Sequence, residues 1–165
     1  MKRILFVLLA VVVLSALVVV PVVAAENNGM AGNSGVGHLY LFEKDPSDWS
    51  IVEDGAWGKL TYKGDVEEFT CVFNGHELTP YEDYTLIRYK DPWPGVGSVY
   101  LAKGTANENG DVHLSWTEPK GLGLLDDDNE GYKIWLVLSG DINTDCSWNG
   151  WHPTEYLFEY QLLGI

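Results

Sequence analysis

Basic residues are scarce in this chain. Ten Lys and Arg stand against 24 Asp and Glu, and the formal net charge is −14 over 165 residues. So acidic a surface repels phosphate backbones and anionic headgroups, which excludes nucleic acid and anionic membrane surfaces as partners. Cysteine occurs only twice, at Cys71 and Cys146. With no Cys-x-x-Cys or His-x-x-x-His spacing, the common zinc sites are excluded. Gly-x-Ser-x-Gly, phosphate-loop and His-Glu-x-x-His motifs are missing, and four scattered histidines suggest no triad. No Asn-x-Ser/Thr sequon occurs. Beyond the N-terminus, no window of 11 or more residues holds an apolar period of 3.6, so long amphipathic helices are not expected. Aromatic side chains are abundant: 7 Trp and 9 Tyr rule out a disordered acidic tail.

The N-terminus carries the one long apolar run. Met1-Lys2-Arg3 precedes Ile4 to Val20, interrupted only by Ser15, then Pro21 and Val23-Ala24-Ala25. A basic start, an apolar middle and small residues before a cut describe an export signal, residues 1–25. The competing reading is an uncleaved anchor, because the run approaches the length that spans a bilayer. Lys2 and Arg3 would then stay cytoplasmic and leave the same domain outside. Cleavage after Ala25 leaves 8 bases against 24 acids, a balance of −16. Residues 26–37, rich in Asn and Gly, read as a flexible leader, and residues 38–165 as a single domain.

From His38 onward, short alternating runs separated by turn residues predict about eight strands. They are His38–Phe42, Trp57–Tyr62, Val66–Phe73 closed by Asn74-Gly75, Tyr84–Tyr89, Ser98–Thr105, Asp111–Thr117, Tyr132–Ser139 and Glu155–Leu163. Asn109-Gly110 between the fifth and sixth predicts a type I′ hairpin. The continuous apolar run of the seventh predicts a central strand buried on both faces. The expected fold is all-β: a two-sheet, immunoglobulin-like β-sandwich after an N-terminal apolar signal helix, with a closed barrel as runner-up.

Leu78-Thr79-Pro80-Tyr81-Glu82-Asp83-Tyr84 resembles the Leu-x-Pro-x-x-x-Tyr corner of fibronectin type III and related immunoglobulin-like domains. That resemblance implies a hydroxyl at Tyr84 tied back to the backbone. Gly104 to Val112 resembles a hairpin of bacterial and archaeal surface sandwiches. More widely, Asp48–Lys59, Val72–His76, Asp91–Gly95, Lys133–Ser139 and Trp151–Tyr160 resemble a family of uncharacterised secreted proteins found mostly in methanogenic archaea. The family implies an exported single sandwich domain and assigns no catalytic residues.

Several side-chain groups invite chemistry. Two cysteines in an exported domain suggest a Cys71–Cys146 disulfide, worth roughly 4 kcal/mol by loop-closure entropy; the alternative is two separate buried thiols. Asp141, Asn143 and Asp145 place oxygen ligands at alternate positions, as calcium loops do, beside a second acidic run at residues 126–130. Position 6 would be Cys146 and position 12 His152, so this is no EF-hand; the alternative is a pair of solvated loops. Trp57, Trp116 and Trp135 fall within strand patterns and are expected in the core. Trp49, Trp93, Trp148 and Trp151 fall in loops, where they either cap the core ends or share a surface that stacks on sugar rings.

These readings converge on a secreted or surface-tethered structural or adhesive sandwich without catalytic activity. Its expected partners are extracellular proteins or glycans, and calcium is the one cofactor the pattern admits. The alternatives are a glycan-binding module using the loop tryptophans and a small secreted hydrolase, such as a glycoside hydrolase. Loop aromatics gathered in one groove would favour the glycan module. A pocket holding two closely spaced carboxylates would favour the hydrolase.

Overall fold

The computed structural model describes residues 36–64, 68–119 and 133–162. The signal segment, most of the leader and the 126–130 acidic run lie outside them. Eight strands follow in chain order: β1 (Val36–Phe42), β2 (Trp57–Gly64), β3 (Glu68–His76), β4 (Asp83–Tyr89), β5 (Val99–Thr105), β6 (Val112–Pro119), β7 (Lys133–Leu138) and β8 (Phe158–Glu159). All pairings are antiparallel. They form a five-stranded sheet in the order β6-β3-β2-β1-β8 and a three-stranded sheet in the order β5-β4-β7. The fold is a two-sheet β-sandwich. β1 to β3 lie side by side in the larger sheet, whereas the immunoglobulin order carries the third strand to the opposite sheet. The two-sheet sandwich is the expected architecture, and the strand order differs from the immunoglobulin one. Among the described residues no helix is long and apolar enough to cross a membrane.

Period-2 alternation builds the main core. Leu39 and Leu41 of β1, Leu60 and Tyr62 of β2 and Phe73 of β3 face Leu86 of β4 and Leu136 of β7 across the sandwich, all essentially fully buried. Close sheet packing needs a glycine at Gly58, because a Cβ there would sit 2.2 Å from the Phe73 ring. The smaller sheet is apolar on both faces. Tyr84, Leu86, Ile134 and Leu136 join the main core, while Ile87, Tyr89, Trp135 and Val137 point the other way into a second cluster with Ile142, Tyr156 and Phe158. The segment that follows β7 folds back over this outer face, which is why β4 and β7 are buried on both faces.

Several expectations change. β7 is the edge of its sheet by hydrogen bonding, and β4 is the central strand; the Leu136–Leu157 bridge covers β7's free side. Asn74 and Gly75 lie inside β3, paired with β2 and β6. Asn109-Gly110 makes no hairpin, because β5 and β6 belong to different sheets. Of that pair only Gly110 takes positive φ (77°), its N–H donating to Asn107 O, while the Asn107 side chain accepts the N–H groups of Asn109 and Asp111. The last strand shrinks to two residues after a 3₁₀ turn at Pro153–Glu155. Val36 and Gly37, assigned to the leader, already pair with β2.

The corner at Tyr84 is formed. Thr79 N–H donates to the Tyr84 hydroxyl at 3.2 Å. The hydroxyl is therefore the acceptor of this tie.

Candidate functional site

Three loops converge over the outer face of β4 and β7. The first, between β1 and β2, carries Trp49. Asp45 anchors it: its N–H donates to Ser50 O at 2.8 Å and its carbonyl accepts Trp49 N–H at 2.7 Å. Trp49 is held at φ 62°, a left-handed conformation that bulky residues rarely adopt. Its ring stands edge-on to Phe158 at 5.1 Å and remains 49% exposed.

The second loop, between β4 and β5, carries Trp93, which is 53% exposed. The peptide bonds before Pro92 and Pro94 are both cis. Gly95 N–H closes on Pro92 O at 2.8 Å and Ser98 N–H on Gly95 O at 2.9 Å. Gly95 sits at φ 79°, where a Cβ would also strike the Tyr89 ring at 2.6 Å.

The third loop, after β7, carries Trp148 and Trp151 and wraps around a buried carboxylate. Asp141 Oδ2 accepts the Tyr156 hydroxyl at 2.6 Å and lies 2.8 Å from His152 Nδ1. Its carbonyl accepts Asn149 N–H at 2.7 Å. His152 N–H donates to the Tyr156 hydroxyl at 3.1 Å. A Cβ on Gly150 would lie 2.3 Å from Asp141 Oδ1, so only glycine lets the chain pass between the two tryptophans this closely. Burial, then the bond to Asp141, pushes the Tyr156 hydroxyl well above its ordinary titration range, so it stays a donor.

The loops bring the tryptophans together. Trp93 lies 5.2 Å from Trp148 and 4.7 Å from Trp151, and Trp148 and Trp151 are 5.5 Å apart. Trp148 Nε1 donates to Pro94 O at 2.9 Å and ties the second loop to the third. A groove of about 680 Å³ runs between Trp49 and the Trp93–Trp151 pair. Its lining includes Trp135, Tyr89 and Phe158, with Tyr89 and Trp135 stacked at 3.8 Å and 8°. Trp148 supports the wall from behind and does not line the groove.

Four charged residues complete the lining: Lys44, Asp91, Lys133 and Glu159. Lys133 is ion-paired with Asp91. Lys44 Nζ donates to the Glu159 carbonyl at 2.8 Å, and Trp135 Nε1 donates to the Glu159 carboxylate. Burial raises the Glu159 carboxyl above its ordinary pKa, and its own backbone N–H, the Trp135 indole and both lysines oppose the rise only in part.

Of the loop tryptophans singled out from sequence, Trp49, Trp93 and Trp151 line one groove and Trp148 braces it. Trp135, expected in the core, is only 8% exposed, yet it forms part of the groove. Glu159, Asp91, Tyr89 and the two lysines carry no local sequence signal for this role. A smaller cavity of about 190 Å³ lies at the Tyr84 corner. Two of its carboxylates are already engaged within the fold, Glu43 by Ala56 N–H and Glu155 by the Thr79 hydroxyl.

Two expected sites are not formed. Cys71 and Cys146 are free and buried, one in the main core and the other under the third loop. The three-stranded sheet separates the two clusters. The calcium loop does not converge either. Asp141 turns inward to Tyr156, Asn143 exchanges amide hydrogen bonds with Asn149, and Asp145 accepts the N–H and hydroxyl of Ser147 at 3.0 and 2.6 Å. Each oxygen ligand is spent on a different partner. Among the described residues no group of three or more His, Cys, Asp or Glu is arranged to hold a metal ion. Comparison with models of known families, with curated proteins and with solved structures found no match to this chain.

Proposed function

We propose that this chain is an exported glycan-binding domain whose site is the tryptophan groove. The observation that carries the reading is the gathering of Trp49, Trp93 and Trp151, from three loops, with Trp135 into one open groove. Large aromatic faces exposed together mark ligand-binding grooves or interaction surfaces in folded domains. Sugar rings have an apolar C–H face that stacks on indole and a rim of hydroxyls that needs polar partners, and this lining offers both. The export signal and the resemblance to secreted archaeal proteins support a role outside the cell, where glycan binding amounts to adhesion.

Native gel electrophoresis through immobilised polysaccharides tests the reading. At least one polysaccharide should retard the protein, and Trp93→Ala or Trp151→Ala should abolish the retardation. Unretarded migration through a broad panel would refute it. A second reading, glycoside hydrolysis, draws on Asp91 and Glu159 both lining the groove; release of reducing ends from a bound polysaccharide would favour it.

A further inference from the structure

The groove's polar groups carry a more specific assignment, which rests on the glycan reading above. Two lysines and two carboxylates line it, so in a chain of net charge −14 this face is locally balanced. Both cations are already engaged: Lys133 with Asp91 and Lys44 with the Glu159 carbonyl. The two carboxylates offset the two lysines, so the lining offers no net positive charge to a ligand carboxylate or sulfate. The Glu159 carboxylate differs from the other polar groups. Oε2 accepts the Trp135 indole N–H, and among the described residues no other side chain donates to this carboxyl. A carboxylate placed among Phe158, Trp135 and Trp151 is costly to desolvate unless something donates to it. A sugar hydroxyl stacked in the groove is such a donor.

We infer that Glu159 is the residue that reads the ligand, accepting a ring hydroxyl, and that the groove selects neutral saccharides over uronic or sulfated ones. Asp91 acts as the exclusion element by holding Lys133 neutralised. A uronate carboxylate entering the groove meets Glu159 and Asp91 with no net positive charge to offset its own, and like-charge juxtaposition disfavours it. The raised Glu159 titration fits a carboxyl whose surroundings suit a bound donor more than water.

The test is isothermal titration of the whole exported domain with neutral hexaoses of glucose and mannose and with a galacturonate hexaose. Salt at 150 mM confines the effect of distant charges to about 8 Å. Wild type should bind a neutral hexaose at least about tenfold more tightly than the uronate. Glu159→Gln should lose about tenfold or more toward the neutral ligand, because a charge-assisted hydrogen bond becomes an ordinary one. Asp91→Asn, which frees Lys133, should gain affinity for the uronate, so that the preference for the neutral hexaose over the uronate shrinks. Tryptophan fluorescence matching wild type confirms that each variant keeps its fold. Equal binding of neutral and uronic hexaoses, or full affinity in a native Glu159→Gln, overturns this inference and leaves the glycan reading standing. No binding of any of the three hexaoses by wild type overturns this inference as well, and retardation by the polysaccharide panel then decides the glycan reading separately.

Discussion

The Tyr156 hydroxyl donates to the buried Asp141 carboxylate at 2.6 Å, and that bond fastens the loop bearing Trp148 and Trp151 to the sandwich. The same hydroxyl accepts His152 N–H, so one group closes the loop at both ends. Tyr156→Phe should destabilise the domain by about 2 kcal/mol, since hydrogen bonds to charged groups are worth about 1.5–3 kcal/mol. It should also lower ligand affinity by loosening Trp151. Denaturant midpoints and titration of the same variant measure both; intact affinity would mean that Trp151 is held by ring packing alone.

Tyr84→Phe is the matched control. The chemistry removed is the same, but Tyr84 sits at the corner between β3 and β4, where its hydroxyl accepts Thr79 N–H. A loss of about 1 kcal/mol is expected, with ligand affinity unchanged. A fall in affinity would mean that the corner and the groove are coupled through β4.

The sandwich is legible in the sequence because burial on a sheet face imposes period 2, and β1, β2 and β6 keep it. The Asn109-Gly110 turn misleads because turn chemistry fixes only a local bend, while the sheet each flanking strand joins is decided by pairing with β3 and β4. The groove is half legible. Trp49, Trp93 and Trp151 lie beside turn residues and so announce loops. Trp135 sits in a run of apolar residues whose outward face is indistinguishable from core until the third loop is seen to cover only part of it. Glu159 carries no sequence signal of its own; only the fold brings its carboxylate against the Trp135 indole.

The cysteines should behave as two inert thiols. Burial pushes the Cys71 thiol up to about 12 and raises Cys146 as well, with Asp145 adding to the latter. Thiolate is the reactive species, so a thiol reagent at pH 7 should label neither residue in the native protein and both after denaturation. Reductant should leave the melting midpoint unchanged. A midpoint that falls on reduction would restore the disulfide.

Calcium should not stabilise the domain beyond its ionic strength. Asp145 is held below the usual carboxylate range by hydrogen bonds from Ser147, and Asp141 is occupied by Tyr156 and His152. Millimolar calcium and sodium chloride at matched ionic strength should shift the melting midpoint equally. A larger calcium shift that Asp141→Ala and Asp145→Ala remove would show that the loop reorganises around the ion.

Glu159 should cost the free protein stability in a pH-dependent way. Its carboxyl titrates above the ordinary 4.5 in the folded state, so between 4.5 and that raised value the native state binds more protons than the unfolded chain. Stability therefore falls as pH rises through this window, and the loss is complete above the folded value. Below 4.5 both states are protonated and the penalty vanishes. Glu159→Gln has no charge to desolvate and keeps an oxygen for the Trp135 indole. The variant should match wild type below about pH 4.5 and exceed it at pH 7, as read from urea midpoints across the range. A difference that stays constant with pH would mean that the substituted amide merely packs differently. A variant that gains stability at neutral pH while binding its saccharide more weakly would show why a carboxylate sits among tryptophans: its desolvation penalty is retained for recognition.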